Sequence, residues 1–194
     1  PSPVPEGLDW DRWLGPKPMH PYSQFWHRRW HWNLELASGC FANQAVHEID
    51  IIRWGLGLDS HPTRVTAMGG QFVHEDDRTS PTHVAMTYRF DEAKPLVTYE
   101  HRSWYTNSEA GFRDKYPFVQ PDFPVGTIFF GTEGYLIFPD YNSYYTFLGR
   151  QGEPGPSKTS DYDWQTESIP HFRNWLAAIR AGDHTVLNAD IEEG

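Results

Sequence analysis

The sequence predicts an α+β domain, an open and mainly antiparallel β-sheet with helices packed on one face. Three observations carry that class. Residues 38–57 place apolar side chains at helical spacing between a small-residue start and a glycine stop. Residues 64–148 break into short alternating segments divided by turn residues. Residues 170–180 return to helical periodicity, and no internal repeat links the two helical stretches.

In chain order, residues 1–7 form an extended, proline-rich lead-in. Residues 8–15 predict one or two helical turns, with Asp9 as N-cap and Gly15-Pro16 as the stop. Pro16, Pro18 and Pro21 then impose an irregular path. Residues 23–33 carry Phe25, Trp26, His27, Trp30, His31 and Trp32. His27 and His31 lie four residues apart and could chelate a metal on a helix, but no third ligand stands at a suitable spacing, so no metal is expected. Aromatic packing or a substrate-facing rim fits the stretch better, and Trp30 and His31 are its candidate substrate-binding residues.

Residues 38–57 read as a helix of about four turns. Phe41, Ala42, Ala45, Val46, Ile49, Ile52 and Leu56 fall on one broad face. Asn43, His47 and Asp50 stack on the opposite face, and Trp54 extends their line. A solvated face usually carries Lys and Glu, whereas this one carries an amide, an imidazole and a carboxylate. An imidazole one turn from a carboxylate suits a general acid/base with its orienting partner, and the amide suits a substrate hydroxyl. A plain polar outer face is the competing explanation from spacing alone.

Strands are expected at residues 64–69, 83–90 and 96–104, the last two joined by the hairpin loop 91–94. Residues 105–124 form the longest candidate functional loop. Residues 126–132 and 134–138 are two further strands joined tightly through Glu133-Gly134, and residues 143–148 are a sixth. Residues 149–160 read as a surface loop rich in Gly, Pro and Ser. Residues 170–180 form an amphipathic helix with Pro170 in its first turn, Gly182 closing it, and Phe172, Trp175, Leu176 and Ile179 as its buried stripe. Residues 188–194 read as the capped start of another helix, so the sequence reads as truncated.

A formal charge of −10 with scattered basic residues argues against nucleic-acid or anionic-membrane binding. The lone Cys40 excludes an intrachain disulfide framework and a cysteine-based zinc ribbon. No apolar run approaches the roughly 18 residues of a membrane span. Nine Trp is high for this length. Aromatic faces suit sugar rings, but Trp and Tyr are also good core residues, and composition alone favours the core.

Four segments in order resemble the C-terminal domain of the Gfo/Idh/MocA oxidoreductases, the glucose–fructose oxidoreductase and inositol dehydrogenase family. Residues 7–16 are similar to the lead-in to that family's central helix, and residues 43–50 to its catalytic helix. Residues 130–136 resemble its late β-hairpin, and residues 188–194 the entry to its last helix. The resemblance covers nearly all of residues 1–194, taken as one substrate-binding and oligomerisation domain. It implies His47 as the acid/base that moves a substrate hydroxyl proton during hydride transfer. It also implies Asp50 as its orienting or substrate-binding partner and Asn43 as a contact to sugar hydroxyls. Asn43 stands where many members have Asp, and Ala45 where many have Gly; Asn cannot act as a base, so the proton role falls on His47.

The family implies NAD or NADP as cofactor, bound mainly by a Rossmann domain not present in this chain. Neither Gly-x-Gly-x-x-Gly nor Glu-Lys-Pro occurs here; Lys94-Pro95 follows Ala93. The implied partners are therefore a sugar-like substrate, the Rossmann domain of the same parent chain, and a second copy packed on the sheet face. Alone, the chain is expected to be inactive. The compartment stays open between cytoplasm and bacterial periplasm. A non-catalytic carbohydrate-binding or assembly module is the alternative, and a metal hydrolase using His27, His31, His47 and Asp50 is a third reading.

Overall fold

The computed structural model describes residues 1–104, 109, 125–160 and 164–191. The chain forms two compact units, Pro1–Thr127 and Ile128–Gly194.

The first unit opens with an aromatic core. Helix α1 (Trp10–Leu14) is capped by Asp9, whose carboxylate accepts the Arg12 N–H at 3.0 Å. Helix α2 (Gln24–Arg28) is capped in the same way by Ser23, which accepts the Trp26 N–H at 3.1 Å. Trp10, Leu14, Tyr22 and Trp26 form the buried cluster, with Leu8, Trp13, Phe25 and Leu36 against it. Trp10 stacks on Trp13 at 4.6 Å, and its indole N–H donates to the His20 carbonyl at 2.7 Å. Each large apolar side chain so buried contributes about 1.5–3 kcal/mol. Part of the tryptophan richness is thus core.

A 3-10 turn at Trp30–Trp32 leads to helix α3 (Gly39–Leu56), which ends where Gly57 takes a left-handed conformation and donates back to the Arg53 and Trp54 carbonyls. Its first residue must be glycine. Gly39 has φ +81°, and a Cβ there would meet the Ser80 Cβ at 2.7 Å. Strands β1 (Arg64–Gly70), β2 (His83–Arg89) and β3 (Val97–Arg102) form an antiparallel sheet in that order. Its inner face meets α3 where the Tyr99 hydroxyl donates to the Phe41 carbonyl at 2.8 Å.

The second unit is built on a four-stranded sheet, β4 (Thr127–Phe130, its first residue closing the first unit), β5 (Gly134–Phe138), β6 (Ser143–Leu148) and β7 (Glu153–Thr159), with neighbours in chain order. Tyr135 stacks on Phe147 at 5.0 Å across β5 and β6, and Ile137 is fully buried. Helix α4 (Trp164–Ala181) closes at Gly182, followed by a 3-10 turn at His184–Val186. Asn174 holds that turn to α4, donating to the Val186 carbonyl at 2.7 Å and accepting the Asn188 N–H at 2.8 Å.

The α+β class with mainly antiparallel open sheets is what the sequence predicts, but several details differ. Among the described residues the strands form two sheets rather than one. The expected loop 149–160 contains β7, despite Pro154 and Pro156. These prolines are tolerated because, among the described residues, β7 pairs only with β6, across an irregular register between Tyr145 and Phe147. The Pro156 carbonyl even accepts the Thr146 hydroxyl at 2.6 Å. Helix α4 starts earlier than expected, so Pro170 sits inside it rather than in its first turn and leaves the ladder one donor short. Its expected buried stripe is exposed at Phe172, Trp175, Leu176 and Ile179, and Ala178 is the buried residue there. The expected loop at 105–124 lies outside the described residues except for Glu109, and residues 192–194 of the expected last helix also lie outside them.

Candidate functional site

The site is built on α3, whose start is fixed by a polar knot. The Trp32 carbonyl accepts the backbone N–H groups of Thr79 and Ser80 at 3.2 and 3.1 Å. The Trp32 indole donates to the Cys40 thiol, and the Arg78 and Arg29 guanidinium carbons lie 4.3 and 4.7 Å from its ring centre. Arg78 is in turn clamped by Asp76 through two contacts of 2.7 Å. That hydrogen bonding holds the Asp76 carboxyl below its ordinary range. Burial pushes the Cys40 thiol up against the opposing pull of Trp32 and the two arginines.

Along α3, the buried line runs through Glu48 and Ile52, with Phe41 and Ala45 half-buried beside them. Glu48 is only 5 % exposed. Its two carboxylate oxygens accept hydrogen bonds from Gln44 Nε2 at 3.0 Å and Thr127 Oγ1 at 2.9 Å. The Thr127 bond, from 79 residues further along the chain, holds the rotation of α3 about its own axis, while Gln44, one turn back on the same helix, steadies the carboxylate.

With that rotation fixed, Asn43, His47 and Asp50 share the other face. Asn43 and His47 are exposed and Asp50 is half-buried. Along the axis, His47 lies about 6 Å beyond Asn43 and Asp50 about 4.5 Å beyond His47. Trp54 continues the line and is 77 % exposed. Val46 was expected on the apolar face but is 61 % exposed. It lies at the rim of that arc, where the helix surface turns toward His47 and Asp50.

Trp30 and His31 belong to the 3-10 turn packed against α3. Trp30 is exposed and His31 half-buried, its ring 5.8 Å from Trp30 and 5.1 Å from Trp32. The turn is tied to α3 through Trp32 and Cys40, one helical turn before Asn43. Trp30 and His31 immediately precede that tie in the chain. His27 goes elsewhere. α2 ends at Arg28, and His27 packs edge-on against Trp10 and Trp13, with its Nδ1 3.5 Å from the Tyr22 hydroxyl. His27 and His31 therefore do not share a helix. Among the described residues no group of three or more His, Cys, Asp or Glu is placed to hold a metal.

Glu48 is the residue that sequence reasoning passed over. The signal was available, since Glu48 falls seven residues after Phe41 and four before Ile52, inside the apolar arc, where an acid requires a partner.

The family profile described as the GFO/IDH/MocA C-terminal domain matches residues 11–137. That span includes every candidate site residue. Comparison with curated proteins finds no match, and comparison with solved structures finds none either.

Proposed function

This chain belongs to the GFO/IDH/MocA family through its C-terminal domain, and from that premise we propose that it is the substrate-binding half of an NAD(P)-dependent oxidoreductase. The substrate is a sugar, a sugar derivative or a cyclitol, and the reacting group is a hydroxyl. The observation that carries this reading is the Asn43, His47 and Asp50 line on one face of a helix whose opposite face is anchored by Glu48.

His47 is the acid/base. It takes the hydroxyl proton as the carbinol carbon loses its hydride, or returns it in the reverse direction. Asp50, one turn on, orients the imidazole and stabilises its protonated form. Asn43 accepts from or donates to a neighbouring hydroxyl, and Trp30 with His31 offers an aromatic edge to the apolar side of the ring. The family is generally NAD(P)-dependent, and the nicotinamide, when bound, supplies the hydride acceptor or donor. In this reading residues 1–194 act as one domain, and the dinucleotide is held by a Rossmann domain of the same parent chain. The sheet face serves for assembly with a second copy.

The exposed faces of Trp30 and Trp54 favour one second reading, a carbohydrate-binding or assembly module with the same fold and no chemistry. One experiment separates the two. The parent protein is incubated with NAD⁺ or NADP⁺ and a panel of aldoses, sugar acids and inositols, and reduced nicotinamide is followed by absorbance. Turnover with a member of the panel supports the oxidoreductase. Saturable binding of a sugar by calorimetry with no nicotinamide reduction overturns it in favour of the module.

A further inference from the structure

Among the described residues, strand β1 lies at the edge of its sheet and pairs with β2 alone. All of its residues from Arg64 to Gly69 are exposed. Its outward row of backbone N–H and C=O groups has no partner among the described residues. The strand carries none of the usual protections of such an edge. It contains no proline, no lysine and no bulge, and its one charge is Arg64 at the very start. A cavity of about 370 Å³ runs beside it, bordered by the consecutive residues 67–71 on one side and by Phe41, Thr79 and Pro81 on the other. Part of that space exists because Gly69 has no side chain, and it could not have one, since a Cβ there would meet the His83 carbonyl oxygen at 2.6 Å.

We propose that the free edge of β1 pairs antiparallel with β1 of a second copy, about a two-fold axis at Ala67. The sequence Arg-Val-Thr-Ala-Met-Gly-Gly is complementary to itself in that register. Residue 65 falls opposite 69, and 64 opposite 70, so Arg64 and Val65 each meet a glycine of the partner. Val65, apolar and 51 % exposed, shares its strand face with Ala67 and Gly69 and enters the partner's cavity beside Gly69. Thr66 meets Met68, which is also strongly exposed. Charge selects the same direction. Antiparallel pairing separates the two Arg64 side chains by roughly 20 Å, whereas an in-register parallel pair would set them side by side. Counting both copies, the pairing covers on the order of 1,000 Å², the lower limit for a specific interface, so association in the micromolar range is expected.

The pairing rests on the first unit's fold and not on the enzymatic reading. It also differs from assembly through the sheet face, whose outward residues include Thr98 and Glu100 of β3. The test is oxidative cross-linking of the complete chain carrying Ala67→Cys with Cys40→Ser, read on a non-reducing gel and by sedimentation between about 1 and 100 µM. Directly opposed residues of an antiparallel pair have Cα atoms about 4.5–5.5 Å apart, within disulfide range. The expected result is a covalent dimer that forms readily, is lost when Val65→Lys is added, and survives addition of Thr98→Arg. Val65 and Thr98 are both exposed, so both variants keep the fold, checked by circular dichroism. Absence of the cross-linked dimer overturns the proposal, as does its persistence with Val65→Lys or its loss with Thr98→Arg. The assay uses no substrate, so its outcome is independent of any test of catalysis.

Discussion

Helices α3 and α4 are both 18 residues long, and both carry an apolar stripe at helical spacing. In α3 the stripe is anchored. Ile52 is 9 % exposed, Glu48 is satisfied by two side-chain donors, and Tyr99 reaches the Phe41 carbonyl. In α4 the stripe faces outward, with Phe172 57 % exposed and Trp175, Leu176 and Ile179 similarly open. Periodicity states that a helix has an apolar side. It does not state what lies against that side, and only the covered helix can hold its polar face in a fixed direction.

The comparison breaks most visibly under truncation of matched isoleucines. Ile52→Ala removes buried methyl and methylene groups and is expected to cost about 2–4 kcal/mol in denaturant unfolding. Ile179→Ala, on the open stripe, should stay within about 0.5–1 kcal/mol. Equal losses would mean that the α4 stripe is covered in solution.

Removing the anchor carboxylate comes next. Glu48→Ala removes the carboxylate to which the Gln44 amide and the Thr127 hydroxyl donate, at an expected cost of about 1–3 kcal/mol. Glu48→Gln keeps one acceptor oxygen and should lose less. A melting temperature unchanged in both variants would show that Glu48 does not fix α3.

The smallest effect is electrostatic and has opposite signs in the two units. His101 is held below the ordinary histidine range, first by burial and then by the neighbouring His83. Its folded form resists protonation, so the stability it contributes is lost as pH falls below about 6.5. His184 is held above that range, chiefly by its hydrogen bond to Asp190. Its contribution is complete below about 6.5 and is lost as pH rises through the raised value. A histidine proton-resonance titration should place the His101 midpoint below that of a free histidine and the His184 midpoint above it; the reverse order would contradict the pairing.

Much of this was legible in the sequence because local chemistry decided it. Asp9 caps α1 as a side chain with a free acceptor does, Gly57 closes α3, and residues 91–94 turn β2 into β3. What escaped is decided by partners distant along the chain. Residues 153–159 look like a loop because Pro154 and Pro156 cannot serve a central strand, yet an edge strand needs only one bonded side. The exposure of Val46 and of the α4 stripe depends on what stands opposite them, as does the burial of Glu48, whose donor Thr127 is 79 positions away. The candidate line Asn43, His47, Asp50 was legible from helical spacing, which with the residue types also suggested acid/base chemistry, and the reaction it would serve is what the family resemblance implies.

The most direct test of that role compares His47→Ala with the unaltered parent enzyme, at saturating NAD(P)⁺ and with a substrate found in the panel. His47 is exposed, so the variant should fold and melt as the parent does. The expected result is a fall in kcat of about 10²–10⁴-fold, with sugar binding retained. An unchanged kcat in a folded variant would contradict His47 as the acid/base.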